Sequence, residues 1–227
     1  MRIINRKEKL KFYPSLASGN PLNLKCEVDR LADFPNLHLD IEDGNFIPNI
    51  TFGIKTVSRV AEYVGSSRDL DVHLFVNDPQ LIIEQLVSLK TRNIKKIAVH
   101  IEALRYPLET LQYIRSHGIE AGVGLNFITP AEIIIPFVDR IDYVVVMTSE
   151  PDGQGDLFNP NMLHKIIKVT EIMQDENQVW VDGGINADNI KSVVDAGASN
   201  IVLGRAIYAD ECPRAIVENL HKICFNA

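Results

Sequence analysis

Four residues of this 227-residue chain could hold a metal ion. His38 and Asp40 stand two apart in the run LHLDI (37–41), with Glu42 two further on. His73 sits in LDVHLFV (70–76) and Asp182 in QVWVDGG (178–184). Side chains on an extended strand alternate between faces, so His38, Asp40 and Glu42 share one. Two imidazoles and two carboxylates at strand ends suit Zn²⁺, Fe²⁺ or Mn²⁺. Taken singly, each residue has a plainer role: a strand histidine is more often a satisfied core residue, and an aspartate before Gly-Gly commonly caps a turn. Four such groups are costly to bury without a shared purpose, and that conjunction favours the metal site.

The elements that must position them alternate along the chain. Eight β-branched runs end in polar residues: 10–15, 37–41, 70–76, 94–101, 119–127, 141–148, 178–184 and 199–204. Amphipathic stretches such as DPQLIIEQLVSL, NPNMLHKIIKVTEIM and NADNIKSVVDAG lie between them, the last expected to start on Asn186 as N-cap and stop at Gly197. Eight strand–helix units of about 28 residues each fit a (β/α)8 barrel, whose chemistry sits at the C-terminal strand ends. The rival, a doubly wound sheet, usually carries GxGxxG after its first strand, and none stands there. Besides the four candidate ligands, the strand ends present Ser15, Asp71, His100, Glu102, Asn126, Met147, Gly183, Gly184, Gly204 and Arg205.

Composition sets the outer limits. The length suits one domain over residues 1–227, with 46% hydrophobic and 23% charged residues. Thirty acidic against 23 basic residues give a net charge of −7, and no basic block argues for a nucleic-acid partner. Cys26, Cys212 and Cys224 show no CxxC spacing and suit a reducing compartment, where free, buried thiols are expected. MRIINRKEKL is not a signal peptide, and no apolar run approaches the ~20 residues of a membrane span. The expected location is the cytoplasm.

The motifs PSLAS (14–18), LHLDIEDGNFIPNITFG (37–53), DVHLFV (71–76), VHIEA (99–103), MTSEPDGQG (147–155) and VDGGIN (181–186) occur in that order. Together they resemble the ribulose-phosphate 3-epimerase family over essentially the whole chain. The resemblance implies a ribulose-phosphate-binding type of (β/α)8 TIM barrel with one divalent metal, zinc first, with iron, manganese or cobalt as substitutes. It places the metal ligands on His38, Asp40, His73 and Asp182, and the acid–base pair on Asp40 and Asp182. It places substrate contacts on Ser15, Met147 and the glycines Gly183, Gly184 and Gly204. The implied reaction is epimerisation at C3 of a phosphorylated sugar through an enediolate, with D-ribulose 5-phosphate to D-xylulose 5-phosphate as the first reading. A homo-oligomer, dimer or hexamer, is implied as well.

The chain departs from the family pattern in three places. Glu42 stands where the family has methionine in HxDxMDG, and Phe75 replaces a second methionine, while Met147 is kept. The strand-6 loop, MTVxPGFGGQ in the family, reads MTSEPDGQGDLF here; Phe158 stands at a family aromatic, but Asp152 and Asp156 are added. Arg205 replaces a small residue after the strand-8 glycine, where a guanidinium could grip phosphate or pair with Glu42 or Asp152. These changes keep D-allulose 6-phosphate open as an alternative substrate. A keto-sugar-phosphate lyase is disfavoured by the absence of a DxKxxD motif, and a non-catalytic binder by retention of all four ligands. His100 is expected beside the site without being a ligand, Trp180 in the core, and His117, His164 and His221 carry no functional argument.

Overall fold

The computed structural model describes residues 9–89, 91–150, 157–175 and 178–225. Its strands are β1 (Lys11–Pro14), β2 (Asn36–Glu42), β3 (Asp69–Phe75), β4 (Ile94–His100), β5 (Glu120–Leu125), β6 (Tyr143–Met147), β7 (Val179–Asp182) and β8 (Asn200–Leu203). They form one eight-stranded sheet in the order β1-β8-β7-β6-β5-β4-β3-β2, parallel throughout. A parallel bridge between Ser15 and His38 brings β1 against β2. The result is a single (β/α)8 TIM barrel, with a strand in each of the eight runs expected to form one.

Among the described residues seven α-helices accompany the strands: α1 (Leu24–Arg30), α2 (Ile54–Val64), α3 (Pro79–Ser88), α4 (Pro107–Ser116), α5 (Met162–Met173), α6 (Ile190–Asp195) and α7 (Pro213–Phe225). Pro79 and Pro107 open α3 and α4, where the missing N–H costs nothing and φ is already helical. Between β5 and β6 the connection is a run of 3₁₀ turns, Ala131–Arg140, broken at Phe137 just after Pro136. One expected boundary moves. Asn186 does not cap α6: its side chain accepts from the Asp188 N–H at 2.9 Å and closes a turn, and the helix begins only at Ile190. The competing local bond of the Asn side chain is the physical reason. Gly197, at φ +114°, follows the end of α6 as expected. The three cysteines are free but not buried as expected: Cys26 and Cys212 are exposed and Cys224 is half-buried, because they sit in or before outer helices and not in the strands.

Strand parity separates two apolar regions. Leu37, Leu39 and Ile41 face outward and pack with helix residues such as Val57 and Val60. Residues of the opposite parity fill the barrel, where Tyr13, Tyr143, Trp180, Val145 and Val202 form a second cluster. Trp180 is the hub: ring centroids lie 4.0 Å from Tyr13 and 4.9 Å from Tyr143. The Lys96 ammonium sits 5.6 Å from the Tyr143 ring and 5.9 Å from that of Trp180, so its charge closes the N-terminal end by cation–π contact. Above this plug lies the layer that holds His38 and His73.

Because the two regions face opposite sides of the strands, damage to one should spare the other. Leu39→Ala should cost about 2–5 kcal/mol of stability in a denaturant titration. Steady-state turnover, measured where the variant stays folded, should be unchanged.

Candidate active site

Pairing register brings the candidate ligands together. Parallel pairing of β2 with β3 sets His38 opposite Asp71, Asp40 opposite His73 and Glu42 opposite Phe75. Pairing of β6 with β7 sets Met147 opposite Asp182. One ligand atom from each of His38, Asp40, His73 and Asp182 then lies within 4.8 Å of all the others. His38 Nε2 is 3.0 Å from Asp40 Oδ1 and 3.9 Å from Asp182 Oδ2. His73 Nδ1 is 3.4 Å from Asp182 Oδ2 and 3.9 Å from Asp40 Oδ1. Both imidazoles are fully buried, while the Asp182 side chain is 16% exposed toward the cleft.

Neighbouring groups orient these side chains. The Ser15 hydroxyl donates to Asp40 Oδ2 at 2.6 Å, leaving Oδ1 to the cluster. His38 Nδ1 bonds Asp71 Oδ2 at 2.6 Å, and the Tyr143 hydroxyl donates to Asp71 Oδ1 at 3.1 Å. A histidine that donates Nδ1–H to a carboxylate presents Nε2 as a ligand, the usual arrangement behind metal-bound imidazole. Sequence reading noticed Asp71 without giving it this role. Its spacing two before His73 was the available signal, but its partnership with His38 emerges only from register.

The electrostatics of the layer favour positive charge. Burial alone would lower the pKa of His38, but the carboxylates of Asp40 and Asp71 outweigh it and hold the imidazole well above its ordinary value. Burial would raise Asp40; the adjacent His38 and His73 and the Ser15 hydroxyl hold it below the usual carboxylate range. His73 Nδ1 is buried and has no hydrogen-bond partner among the described residues. Two nitrogens and two carboxylates around an orphaned imidazole nitrogen fit a divalent cation in chemistry and number.

Over this layer opens a cleft of ≈ 650 Å³. Ser15, Asp40, Glu42, Met147, Asp182, Gly183, Gly184, Gly204 and Arg205 all line it, so every residue proposed from the sequence is either in the cleft wall or, for the two histidines, in the cluster. Met147 and Phe75 form an apolar wall. Gly183 and Gly184 have φ of +114° and +68°, and a β-carbon on either would strike Ser149 or the Phe158 backbone. Glycine is required there for the β7 loop to approach the β6 loop. Arg205 is exposed and opens the short turn Arg205–Tyr208 after β8. Asp152 and Asp156 lie outside the described residues.

Two neighbours behave as their positions suggested. His100 contributes no atom to the ligand cluster; its Nε2 faces His73 Nε2 at 3.1 Å, and burial pushes its pKa down to about 4. Glu42 reaches the cleft, where the Asn49 amide donates to Glu42 Oε2 at 2.5 Å. Its pKa is pushed up to about 7, by burial first and by the charge of Asp40 second. Trp180 is core, while His117, His164 and His221 lie on or beside outer helices.

The chain matches the ribulose-phosphate 3 epimerase family over residues 11–208. It belongs to that family. It is 33% identical to the ribulose-phosphate 3-epimerase of Schizosaccharomyces pombe over 220 residues, covering 96% of this chain and 95% of the relative. It is 34% identical to that of Bacillus subtilis over 207 residues, covering 88% and 92%. Family membership makes it an isomerase, an epimerase acting on carbohydrates. Among solved structures, a mutant tryptophan synthase α-subunit from Pyrococcus furiosus superposes with a TM-score of 0.69 at 15% identity, over 95% of this chain and 98% of that one. Orotidine 5'-phosphate decarboxylase from Pyrococcus horikoshii gives 0.64 at 14% identity, over 94% and 99%. These two likenesses show the barrel alone. No helix among the described residues is long and apolar enough to cross a membrane.

Glu42 provides a pH test of the site's charge. Its raised folded-state pKa means the ionised form is disfavoured on folding, so it weakens the fold above about 7 and not below about 4.5, its ordinary value. In metal-free protein, Glu42→Gln should therefore raise Tm at pH 8 and leave it unchanged at pH 4, as read by thermal melts at the two pH values.

Proposed function

We propose that this chain catalyses the metal-dependent epimerisation of a pentose phosphate at C3, interconverting D-ribulose 5-phosphate and D-xylulose 5-phosphate. The observation that carries the reading is that two carboxylates, Asp40 from β2 and Asp182 from β7, meet two histidines in one buried layer under an open cleft. Zinc suits the two-nitrogen, two-carboxylate set, and Fe²⁺, Mn²⁺ or Co²⁺ are substitutes for it. A divalent cation held by these four residues would polarise the substrate ketone as a Lewis acid and make the neighbouring C–H more acidic.

The chain's own groups do the rest. Inverting C3 needs one group to take a proton from one face of the substrate and another to return one to the opposite face. Asp40 and Asp182 approach from different walls of the barrel and serve as that pair. Ser15 fixes the orientation of Asp40 by its hydrogen bond to Oδ2. Met147 and Phe75 keep water from the planar intermediate. The glycine backbone at Gly183, Gly184 and Gly204 and the guanidinium of Arg205 line the part of the cleft after β7 and β8, where barrels of this class commonly seat phosphate. Glu42 favours a second reading on substrate: a carboxyl in the cleft wall could select a longer sugar such as D-allulose 6-phosphate. By resemblance the chain acts as a homo-oligomer.

A panel of ketose 5- and 6-phosphates, scored for C3 epimers and for deuterium uptake at C3 in D₂O, tests the proposal and separates the two substrates. Loss of carbon dioxide from a keto-acid sugar phosphate included as a control, or binding of the ketose phosphates with no exchange, would replace the epimerase with a lyase or a binding protein. Asp182→Asn should retain the fold and lose exchange by orders of magnitude, because an amide cannot act as base; near wild-type exchange would remove Asp182 from the acid–base pair.

Arg205→Ser should raise KM roughly 10-fold or more for phosphorylated substrates, for a lost charge-assisted contact of ~1.5–3 kcal/mol, with little effect on a non-phosphorylated ketose. Equal losses on both would assign Arg205 a structural ion pair.

A further inference from the structure

Among the described residues His73 Nδ1 has no hydrogen-bond partner, yet the opposite edge of the ring is held. His73 Nε2 faces His100 Nε2 at 3.1 Å, in rings 4° from parallel with centroids 5.0 Å apart. His100 Nδ1 faces Glu102 Oε2 at 3.3 Å. The other Glu102 oxygen, Oε1, accepts from the Asn126 backbone N–H at 2.9 Å and from the Thr129 hydroxyl. The His100 ring is fully buried, with Phe46 and Phe75 centroids at 4.9 and 4.7 Å.

We propose that Glu102, acting through His100, is a positioning residue that fixes the proton of His73 on Nε2 and so keeps the Nδ1 lone pair aimed at the ligand cluster. The proposal rests on the metal-binding reading of that cluster. The bonds from His100, Thr129 and the Asn126 N–H hold Glu102 ionised, and an ionised carboxylate can only accept, so the hydrogen between Glu102 Oε2 and His100 is on His100 Nδ1. A neutral His100 then offers a bare Nε2, and the only hydrogen available to that 3.1 Å contact is the one on His73 Nε2. His73 Nδ1 is left without a hydrogen, which matches its being buried without a partner 3.4 Å from Asp182 Oδ2. The ionisation of Glu102 agrees: burial opposes it, but the bonds from His100 and Thr129 prevail and hold its pKa down to about 2.

Strand β5 makes room for this relay. Gly124 pairs with His100 in the β4–β5 register, and a β-carbon there would sit 2.9 Å from His100 Nε2 and 3.0 and 3.1 Å from two ring carbons. Two residues earlier on the same face, a β-carbon at Gly122 would overlap the Tyr143 ring, whose hydroxyl supports Asp71 behind His38. Both β5 glycines thus vacate space for a group that stands behind a histidine ligand.

Glu102→Gln tests the relay without changing shape. The amide oxygen can go on accepting from Asn126 and Thr129, which turns the NH₂ toward His100 Nδ1. That reverses each link and moves the His73 hydrogen to Nδ1, into the cluster. In metal-free wild-type protein, ¹⁵N NMR should show a pyridine-like Nδ1 and a pyrrole-like Nε2 for His73, and Glu102→Gln should exchange them. Zn²⁺ affinity, measured by competition with a chelator, should fall about 10–100-fold in this variant while the Tm of the metal-free protein holds. Gly124→Ala, which alters no charge, should weaken Zn²⁺ by crowding His100. A wild-type His73 that carries its hydrogen on Nδ1 overturns the proposal, as does Glu102→Gln with wild-type tautomers and Zn²⁺ affinity. A wild-type protein that takes up no stoichiometric Zn²⁺ overturns the metal reading instead, while the tautomers of the metal-free protein still judge the relay.

Discussion

Asp40 is an aspartate 6% exposed at the centre of a barrel, and most of the site follows from what that burial demands. Moving a carboxylate out of water costs several kcal/mol unless charge and hydrogen bonds replace the lost solvent. One oxygen is answered by Ser15 and the other by His38, which needs Asp71, which in turn takes the Tyr143 hydroxyl. Each step satisfies one group and brings another into the interior, so the network ends only at groups with a solvent-facing or apolar side. Two imidazoles among Asp40, Asp71 and Asp182 make the layer acidic overall. A divalent cation is the simplest way to balance it, and the partnerless His73 Nδ1 marks a direction from which such an ion would be held.

The barrel can carry this polar layer because it does not depend on it. Stability comes mainly from the apolar shell between strands and helices, continuous from Phe12 to Leu220. The aromatic plug of Tyr13, Tyr143 and Trp180 fills the interior beneath. Tyr143 belongs to both worlds: its ring packs on Trp180 and its hydroxyl serves Asp71. That double membership ties ligand geometry to a rigid part of the core and not to a loop, which is what a site needing sub-ångström placement requires.

Much of this was legible beforehand because parallel strands buried on both faces read as apolar runs, and polar exceptions in them stand out. His38, Asp40, His73 and Asp182 were such exceptions, and strand alternation alone put His38 and Asp40 on one face. Asp71 and Tyr143 were not legible in the same way. Asp71 matters because it lies opposite His38 across β2–β3, and Tyr143 because Gly122 leaves it room from the neighbouring strand. Both relations are between strands, and sequence spacing carries no register. The start of α6 was misplaced for a local reason: Asn186 has the residue type of a cap but uses its side chain to close a turn four residues before the helix.

Glu42 shows how far such a layer can be altered. It shares the face of Asp40 and adds a third carboxyl to the cleft, yet it is partly exposed and takes the Asn49 amide, so it is not forced into the buried ledger of charge. With its pKa near 7, the protonated and ionised forms are both within reach at neutral pH. A neutral carboxyl can donate to a sugar hydroxyl and an ionised one can accept from it, whereas an apolar side chain at this place could do neither. Glu42 therefore gives the cleft wall a group that can donate or accept, while contributing no ligand atom to the cluster whose carboxylates it senses. A change of side chain at this half-exposed rim alters the polarity of the cleft while leaving the four clustered residues and the bonds that hold them in place.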